Sequence, residues 1–344
     1  MSFPTINRYP KSNNKSLRAW SSADEYIVNY LTENDLLESN SIIYNDSFGF
    51  LSIALFSEQL SIVSNLKSQE KAIKLNFEAN KKSDLYFVSP LEKIEKKANI
   101  GVLKVPKSLD LFELYLQHFI ENSDENSILI CGFMTRNFTK NILEISSKYF
   151  EEFEQSLAWK KARLLILKKP IKTEKNVNIR QISYENTVFS QYYGVFSANS
   201  IDYATQFLIK EMELKKEVKT VLDLASGNGV LAKKVQEVLP ESEIHLIDDS
   251  FLALESSKLN VKGDRIYFHH SNDLEMLNEN HFDYVISNPP FHLEHEIDIS
   301  LPLGLFNGVK RVLKTGGRFQ LVANKHLNYK IHLNKIFNRV KIDA

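Results

Sequence analysis

Cysteine, glycine and net charge are all scarce in this sequence, and each shortage excludes something. A single cysteine in 344 residues, Cys131, rules out an internal disulfide and any cysteine-rich zinc site. It stands in the apolar run Ile128-Leu129-Ile130-Cys131 and is expected in the core. Lys+Arg and Asp+Glu both number 43, so no global field draws the chain toward nucleic acid and any RNA grip must be local. No apolar window approaches a transmembrane helix, and Met1-Ser2-Phe3-Pro4 opens no signal-peptide region. The eleven glycines include no Gly-x-Gly-x-x-Gly, which disfavours a nicotinamide dehydrogenase. What remains is a cytoplasmic globular protein with length for two domains and no membrane partner.

Of what is present, Ser287-Asn288-Pro289-Pro290-Phe291-His292 is the most informative, closing the apolar run Phe282-Asp283-Tyr284-Val285-Ile286. Two prolines fix φ and remove two N–H donors, so the turn offers acceptors. The Asn288 side-chain oxygen and the Pro289 carbonyl can meet one planar NH2 group, and Phe291 supplies a face for a base to stack on. Asn288, Pro289, Pro290 and Phe291 are therefore the candidate catalytic residues of an amino-methyltransferase; the bland alternative is a rigid turn. Upstream, Thr220-Val221-Leu222-Asp223-Leu224 reads as a buried strand running into Ala225-Ser226-Gly227-Asn228-Gly229, then a helix. Gly227 and Gly229 let backbone approach a ligand. A second strand, Glu243 to Asp248, ends in an acid suited to both hydroxyls of a ribose. Strand, glycine turn, helix, strand, acid and Asn-Pro-Pro-Phe together fit S-adenosylmethionine (SAM) as cofactor, with Gly227 and Gly229 against it and Asp248 on its ribose. His292, Glu294, His295 and Glu296 match no familiar ligand spacing, so no metal is expected.

The two halves repeat one pattern. Ser41 to Asp46, a turn with Gly49, and a strand ending at Pro106 answer Thr220 to Asp223, the glycine turn and the strand ending at Pro289. In both, a helix and another strand follow. This alternation predicts parallel sheets covered on both faces and a tandem duplication. Asp46 pairs with Asp223 in this comparison, and Lys104-Val105-Pro106-Lys107 with Ser287-Asn288-Pro289-Pro290. The first copy lacks the amide and aromatic group, so it is a scaffold, an RNA-holding surface, or both. Residues 165–185 read as the linker. The cluster Lys160, Lys161, Arg163, Lys168, Lys169, Lys172 and Lys175, opposed only by Glu174 in its span, could neutralise several phosphates or be a solvated strand.

The chain resembles the large-subunit ribosomal RNA guanine-N2 methyltransferases, whose small-subunit counterparts are related. The resemblance covers nearly the whole length and rests on Leu17 to Tyr26, Asn45-Asp46-Ser47-Phe48-Gly49, Leu103 to Lys107, Ser156 to Arg163, Asn288 to His292 and Val322 to Leu327. It implies an α/β protein of two tandem class I (Rossmann-like) SAM-methyltransferase domains. Residues 1–170 form the degenerate, RNA-associated one and residues 185–344 the one that binds SAM and methylates guanine N2 in 23S rRNA. It also implies that Asp223, Ala225, Gly227, Gly229, Asp248 and Asn288 bind the cofactor, with Phe196 and Ser197 closing over it and Asn272 beside the adenine. Ala225 stands where the family's turn has its first glycine; Ala198, Ser200 and Ala204 replace an arginine and two glycines. Relatives continue past Ala344 with two more strand segments, so the second domain is expected to lack its last strand.

The implied chemistry is in-line methyl transfer to N2, with Asn288 and the Pro289 carbonyl accepting its hydrogens and Phe291 stacking the flipped base. The substrate is protein-free rRNA or an assembly intermediate, and a monomer suffices. Three other readings stay open: an adenine-N6 methyltransferase, a protein glutamine methyltransferase, and a catalytically impaired rRNA-binding or ribosome-assembly protein.

Overall fold

The computed structural model describes residues 4–11, 14, 17–37, 40–57, 60–172, 178–289, 300–324 and 329–342. The chain divides into two compact units, Met1–Asn178 and Ile179–Ala344.

The first unit runs α1 (Ser22–Glu33), β1 (Ser41–Tyr44), α2 (Phe50–Ala54), β2 (Leu60–Val63), α3 (Lys67–Ala79), β3 (Phe87–Val88), β4 (Ala98–Lys104), α4 (Leu109–Glu121), β5 (Ser123–Met134), α5 (Lys140–Tyr149), β6 (Phe150–Gln155) and β7 (Ala162–Pro170). Its sheet has the order β3-β2-β1-β4-β5-β7-β6. Helix α4 shows why such elements form. Ser108 caps it, its hydroxyl accepting the Leu111 N–H at 3.3 Å. Phe112, Leu116 and Phe119, spaced four and three apart, make one buried stripe. Ile43, Val102, Ile130 and Leu164, from four strands of the sheet, meet α1 residues Ile27 and Leu31 in the core.

The second unit begins with the hairpin β8 (Ile179–Tyr184) and β9 (Thr187–Tyr192). There follow α6 (Tyr203–Lys210), β10 (Thr220–Leu224), α7 (Val230–Val238), β11 (Glu243–Asp248), α8 (Phe251–Asn260), β12 (Ile266–His270), β13 (Phe282–Ser287), α9 (Ser300–Val312), β14 (Leu313–Leu321) and α10 (Tyr329–Ile336). Its sheet, β12-β11-β10-β13-β14, is parallel throughout. Both faces are covered. Val221, Ile244, Tyr284 and Ile286 pack with α7 residues Leu231 and Val235, whereas Leu222, Leu224, Ile247 and Val285 pack with α9 residues Val309 and Val312. Burial on both faces explains why these strands read as nearly unbroken apolar runs.

The two sheets share one strand order over five strands, and the expected duplication is visible in detail. Five residues separate the end of the first strand from the start of the following helix in each, between Tyr44 and Phe50 and between Leu224 and Val230. Gly49 and Gly229 cap those helices with φ of 90° and 80°. Asn45 and Ala225, the first residues beyond the strands, have φ of 59° and 60°. This register corrects two pairings. Asp46 is the counterpart of Ser226, and Ile43 that of Asp223. Because Tyr44 pairs with Leu103 and Leu224 with Ser287, Lys104 is the counterpart of Asn288. Two further expectations change. The first sheet is not wholly parallel, since β7 is inserted antiparallel between β5 and β6. Residues 165–170 belong to β7 and 179–184 to β8, leaving only residues 171–178 between them. The lysine cluster spans the β6–β7 turn and β7 itself, where Lys160 pairs with Glu25 at 3.2 Å and Lys169 with Glu152. Part of its charge is thus answered by acids distant in sequence; Lys175 and Glu174 lie outside the described residues.

Leu222, fully buried on β10, is expected to cost about 2–5 kcal/mol when replaced by alanine. Leu157→Ala, at a side chain 87% exposed, should stay within about 0.5 kcal/mol, with urea unfolding as the measurement.

Candidate active site

The strands of the second sheet end along one edge, and the glycine turn after β10 is strapped to β11 there. The N–H groups of Ala225 and Ser226 both donate to the Ile247 carbonyl, at 2.9 and 3.2 Å, and Gly227 N–H donates to Asp248 Oδ2 at 2.9 Å. A methyl group on Gly229 would meet Ser257 Cβ at 2.9 Å, so only glycine fits. At Gly227, with φ of 56°, nothing lies within 4 Å of such a methyl, and open space faces the turn. Ala225 keeps its Cβ at φ 60°, a conformation that costs an ordinary residue about 1–2 kcal/mol.

Two acids meet this turn. Asp223 is fully buried; its Oδ2 accepts Ala232 N–H at 3.0 Å, while its Oδ1 has no hydrogen-bond partner among the described residues. Burial raises its pKa to about 7, opposed by the Ala232 hydrogen bond and reinforced by the charge of Asp248. Asp248 accepts Gly227 N–H on Oδ2 and Ser250 N–H on Oδ1, at 2.9 and 2.8 Å. Burial lifts it to about 6 against those two bonds, with Asp249 adding repulsion. Paired carboxylates repel phosphate and favour a ligand rich in hydroxyl and ammonium donors. The orphaned Asp223 Oδ1, the equally orphaned Ser226 Oγ and the open turn fit SAM in this respect.

On the other side of β10, Ser287 Oγ donates to the Leu224 carbonyl at 2.6 Å, tying the two strand ends together. Asn288 follows. Its Nδ2 donates to Thr205 Oγ1 at 2.8 Å and to Asp202 Oδ2 at 3.2 Å. A carboxylate can only accept, so the amide NH2 faces α6 and the other amide atom, Oδ1, can only accept. Asp202 also caps α6, accepting Ala204 N–H at 3.1 Å. Pro289 is buried; Pro290, Phe291, His292, Glu294, His295 and Glu296 lie outside the described residues.

Before α6, buried Gln191 joins the entering chain to the turn. Its Nε2 donates to the carbonyls of Val195 and Phe196, both at 3.2 Å, and its Oε1 accepts Asn228 Nδ2 at 2.9 Å. Phe196 itself is 76% exposed, and Ser197 sits at φ 61° with its hydroxyl on the Ser200 carbonyl. Asn272 follows β12 in a loop whose Ser271 N–H donates to the Asp248 carbonyl at 3.1 Å. Asp223, Ala225, Gly227, Gly229, Asp248 and Asn288 thus share one edge. Sequence reasoning missed Gln191 and Thr205. A buried glutamine in a hairpin strand was the only available signal for the first, and nothing marked the second.

The first unit has spent the same edge on itself. Lys104, at the place of Asn288, pairs through Nζ with Asp24 at 3.2 Å. Asn45 Nδ2 donates to the Lys104 carbonyl at 2.8 Å, and Asp46 accepts Gly49 N–H, Ser52 N–H and Ser52 Oγ at 3.0, 2.8 and 2.8 Å.

A parallel Rossmann-like sheet with a glycine turn, an acid ending the next strand and an Asn-Pro closing a third defines an S-adenosylmethionine-dependent methyltransferase. Known proteins narrow this further. The RLMG N-terminal domain model matches residues 2–172, and the methyltransferase small domain model matches residues 186–344. The ribosomal RNA large subunit methyltransferase G of Psychromonas ingrahamii is 30% identical over 98% of this chain and 92% of its own length. That of Shewanella loihica is 28% identical over 99% and 89%. Among solved structures, the T. thermophilus 16S rRNA N2 G1207 methyltransferase, in complex with AdoMet and guanosine, superposes with a TM-score of 0.73 at 19% identity. It covers 87% of this chain and 83% of that one, a likeness of fold. The chain belongs to the ribosomal RNA large subunit methyltransferase G family.

Replacing Ala225 by glycine should be neutral or stabilising by up to about 1 kcal/mol, the reverse of the usual Ala→Gly loss, as thermal unfolding would record. The raised carboxyls give a pH signature. Their folded pKa values exceed the unfolded ones, so the stability they contribute is present below about pH 4 and is lost as pH rises through about 6 to 7. Asp223→Asn should therefore lose less stability than the natural protein between about pH 5 and about pH 8 in denaturant titrations.

Proposed function

We propose that this chain transfers a methyl group from SAM to the exocyclic N2 of a guanine in large-subunit rRNA, at the edge formed by β10, β11 and β13. The observation that carries the reading is Asn288: its NH2 group is held by Thr205 and Asp202, so its Oδ1 is an acceptor set for an amine.

In this reading Asp248 takes the ribose hydroxyls on lone pairs left over from Gly227 and Ser250, and Asp223 Oδ1 supplies a buried acceptor for a donor of the cofactor. Gly227 and Gly229 admit the ligand to the backbone, with Ala225 accepting strain in the same turn. Phe196, Ser197 and Asn272 close around it, with Gln191 holding the Phe196 segment to the turn. When bound, SAM supplies a sulfonium methyl whose leaving group is a neutral thioether. Asn288 Oδ1 and the Pro289 carbonyl accept the two N2 hydrogens and turn the nitrogen lone pair toward the methyl. One of those protons then leaves to water, since the methylated amine is acidic. Pro290 and Phe291 complete the turn and stack the base. Positioning, rather than acid–base chemistry, supplies the rate. The guanine must leave any helix to reach a strand-end pocket. Residues 1–170 hold the RNA or brace residues 185–344, and the working form is a cytoplasmic monomer acting on protein-free rRNA or an assembly intermediate.

The test is methyl transfer from labelled SAM to large-subunit rRNA lacking the modification, with nucleosides identified by mass spectrometry. N2-methylguanosine is expected, falling about 100-fold or more in Asn288→Ala, whereas Thr205→Val lowers kcat and leaves SAM affinity unchanged. Methyl on adenine N6 would transfer the same geometry to a different base. No product from a folded chain that still binds the RNA would overturn the reading in favour of a binding protein.

A further inference from the structure

Three histidines and a glutamate converge at the opposite end of β11. Glu243 and His245, two residues apart, project on one face of β11. His245 pairs with Tyr267 of β12 and Ile247 with His269, so both β12 residues share that face. His281 arrives immediately ahead of β13. Glu243 Oε1 lies 2.7 Å from His245 Nε2 and 2.9 Å from His281 Nε2, so two imidazole nitrogens aim at one carboxylate oxygen. The other nitrogen of His245, Nδ1, lies 2.9 Å from His269 Nε2. One ligand atom each from Glu243, His245 and His281 falls within 4.8 Å of the other two. Five strand steps, about 16 Å, separate Glu243 from Asp248 and the proposed cofactor edge.

We propose that Glu243, His245 and His281 form a binding site for a divalent first-row transition cation, with Zn2+ as its best match. Two imidazoles and a carboxylate are the donor set of three-ligand zinc sites, which keep a fourth position for water. The present spacings are hydrogen-bond distances, so an outward shift of a few tenths of an ångström makes room for a cation. Rings 12% and 30% exposed and a carboxylate 33% exposed leave a way in from solvent. The tautomers balance without loss of a proton. His245 turns its Nε2 lone pair to the metal and its Nδ1–H to His269 Nε2, which becomes the outer partner that fixes the ring. Phe282 packs edge-on to both His245 and His281, with centroids 5.1 and 4.8 Å away, and holds the rings in place. A bound cation would clamp the start of β11 to the chain entering β13, two strands that do not pair with each other. Cys131 is fully buried in the first unit and offers no competing thiolate.

The test uses the full chain stripped of metal with a chelator and titrated with Zn2+ against a chromogenic competitor, with Mg2+ as the contrasting probe. One equivalent of Zn2+ should bind, with a rise in unfolding temperature, and Mg2+ should produce neither. His281→Ala and Glu243→Gln should each weaken Zn2+ binding more than about 10-fold and abolish the thermal shift. His269→Ala, acting through His245, should weaken it by about 10–100-fold. His281 and Glu243 are the more exposed ligands, and their variants are compared with the natural chain by unfolding without metal, which separates lost binding from lost folding. Failure of the folded natural chain to take up Zn2+, or unchanged affinity in both variants, would overturn the proposal.

Discussion

β10 pairs in parallel with β11 on one side and β13 on the other, and the placement of the glycine turn, Asp248 and Asn288 follows from those two ladders. Leu224 pairs with Ile247 and with Ser287, so the glycine turn, Asp248 and Asn288 all emerge at one level. The turn is then held by the Ile247 carbonyl and by Asp248, and Ser287 bonds back to the Leu224 carbonyl. Side chains that never approach one another in sequence are located by backbone registry. Tertiary packing of the apolar residues of these strands, fully buried on both faces, keeps that registry from slipping.

The same frame occurs twice in the chain with opposite outcomes. In the first unit the strand-end lysine at the place of Asn288 is neutralised by buried Asp24, and Asp46 fills its lone pairs with Gly49 and Ser52. In the second, Asp223 keeps an orphaned oxygen and Asn288 keeps an oriented carbonyl. Unsatisfied polar atoms inside a protein are costly, and in the proposed function the cofactor completes the hydrogen bonding at this edge. The left-handed residue after the first strand is common to both, asparagine in one and alanine in the other. Asparagine tolerates that conformation and alanine does not, so the strain falls in the unit with the open turn.

Much of this was legible in the sequence, for identifiable reasons. β10, β11 and β13 are buried on both faces and read as apolar runs; Asp248 and Asn288 stand where such runs end. At Ala225 the resemblance marked only a place where glycine is usual; its φ of 60° came from the structure. The pairing of the two copies slipped, by one residue at Lys104 and by three at Asp46, because acids and prolines served as markers where strand register is the true one. β7 was half taken for linker because Lys168, Lys169 and Pro170 end an antiparallel strand whose outer residues are polar. Thr205 and Gln191 disturb no periodicity; their roles exist only once α6 and β9 are folded beside the turn. The histidine cluster is hidden for a like reason, since Glu243 and His281 are 38 residues apart and meet only across the sheet. Pro290 and Phe291 fall outside the described residues, and their part rests on sequence.

Of the two similar edges, the proposed function gives the cofactor to one. Equilibrium dialysis of the full chain against labelled SAM tests it directly. One equivalent bound, lost in Asp248→Ala and retained in Asp46→Ala, is the predicted result; two equivalents, or binding that survives Asp248→Ala, would contradict the division of labour between the copies.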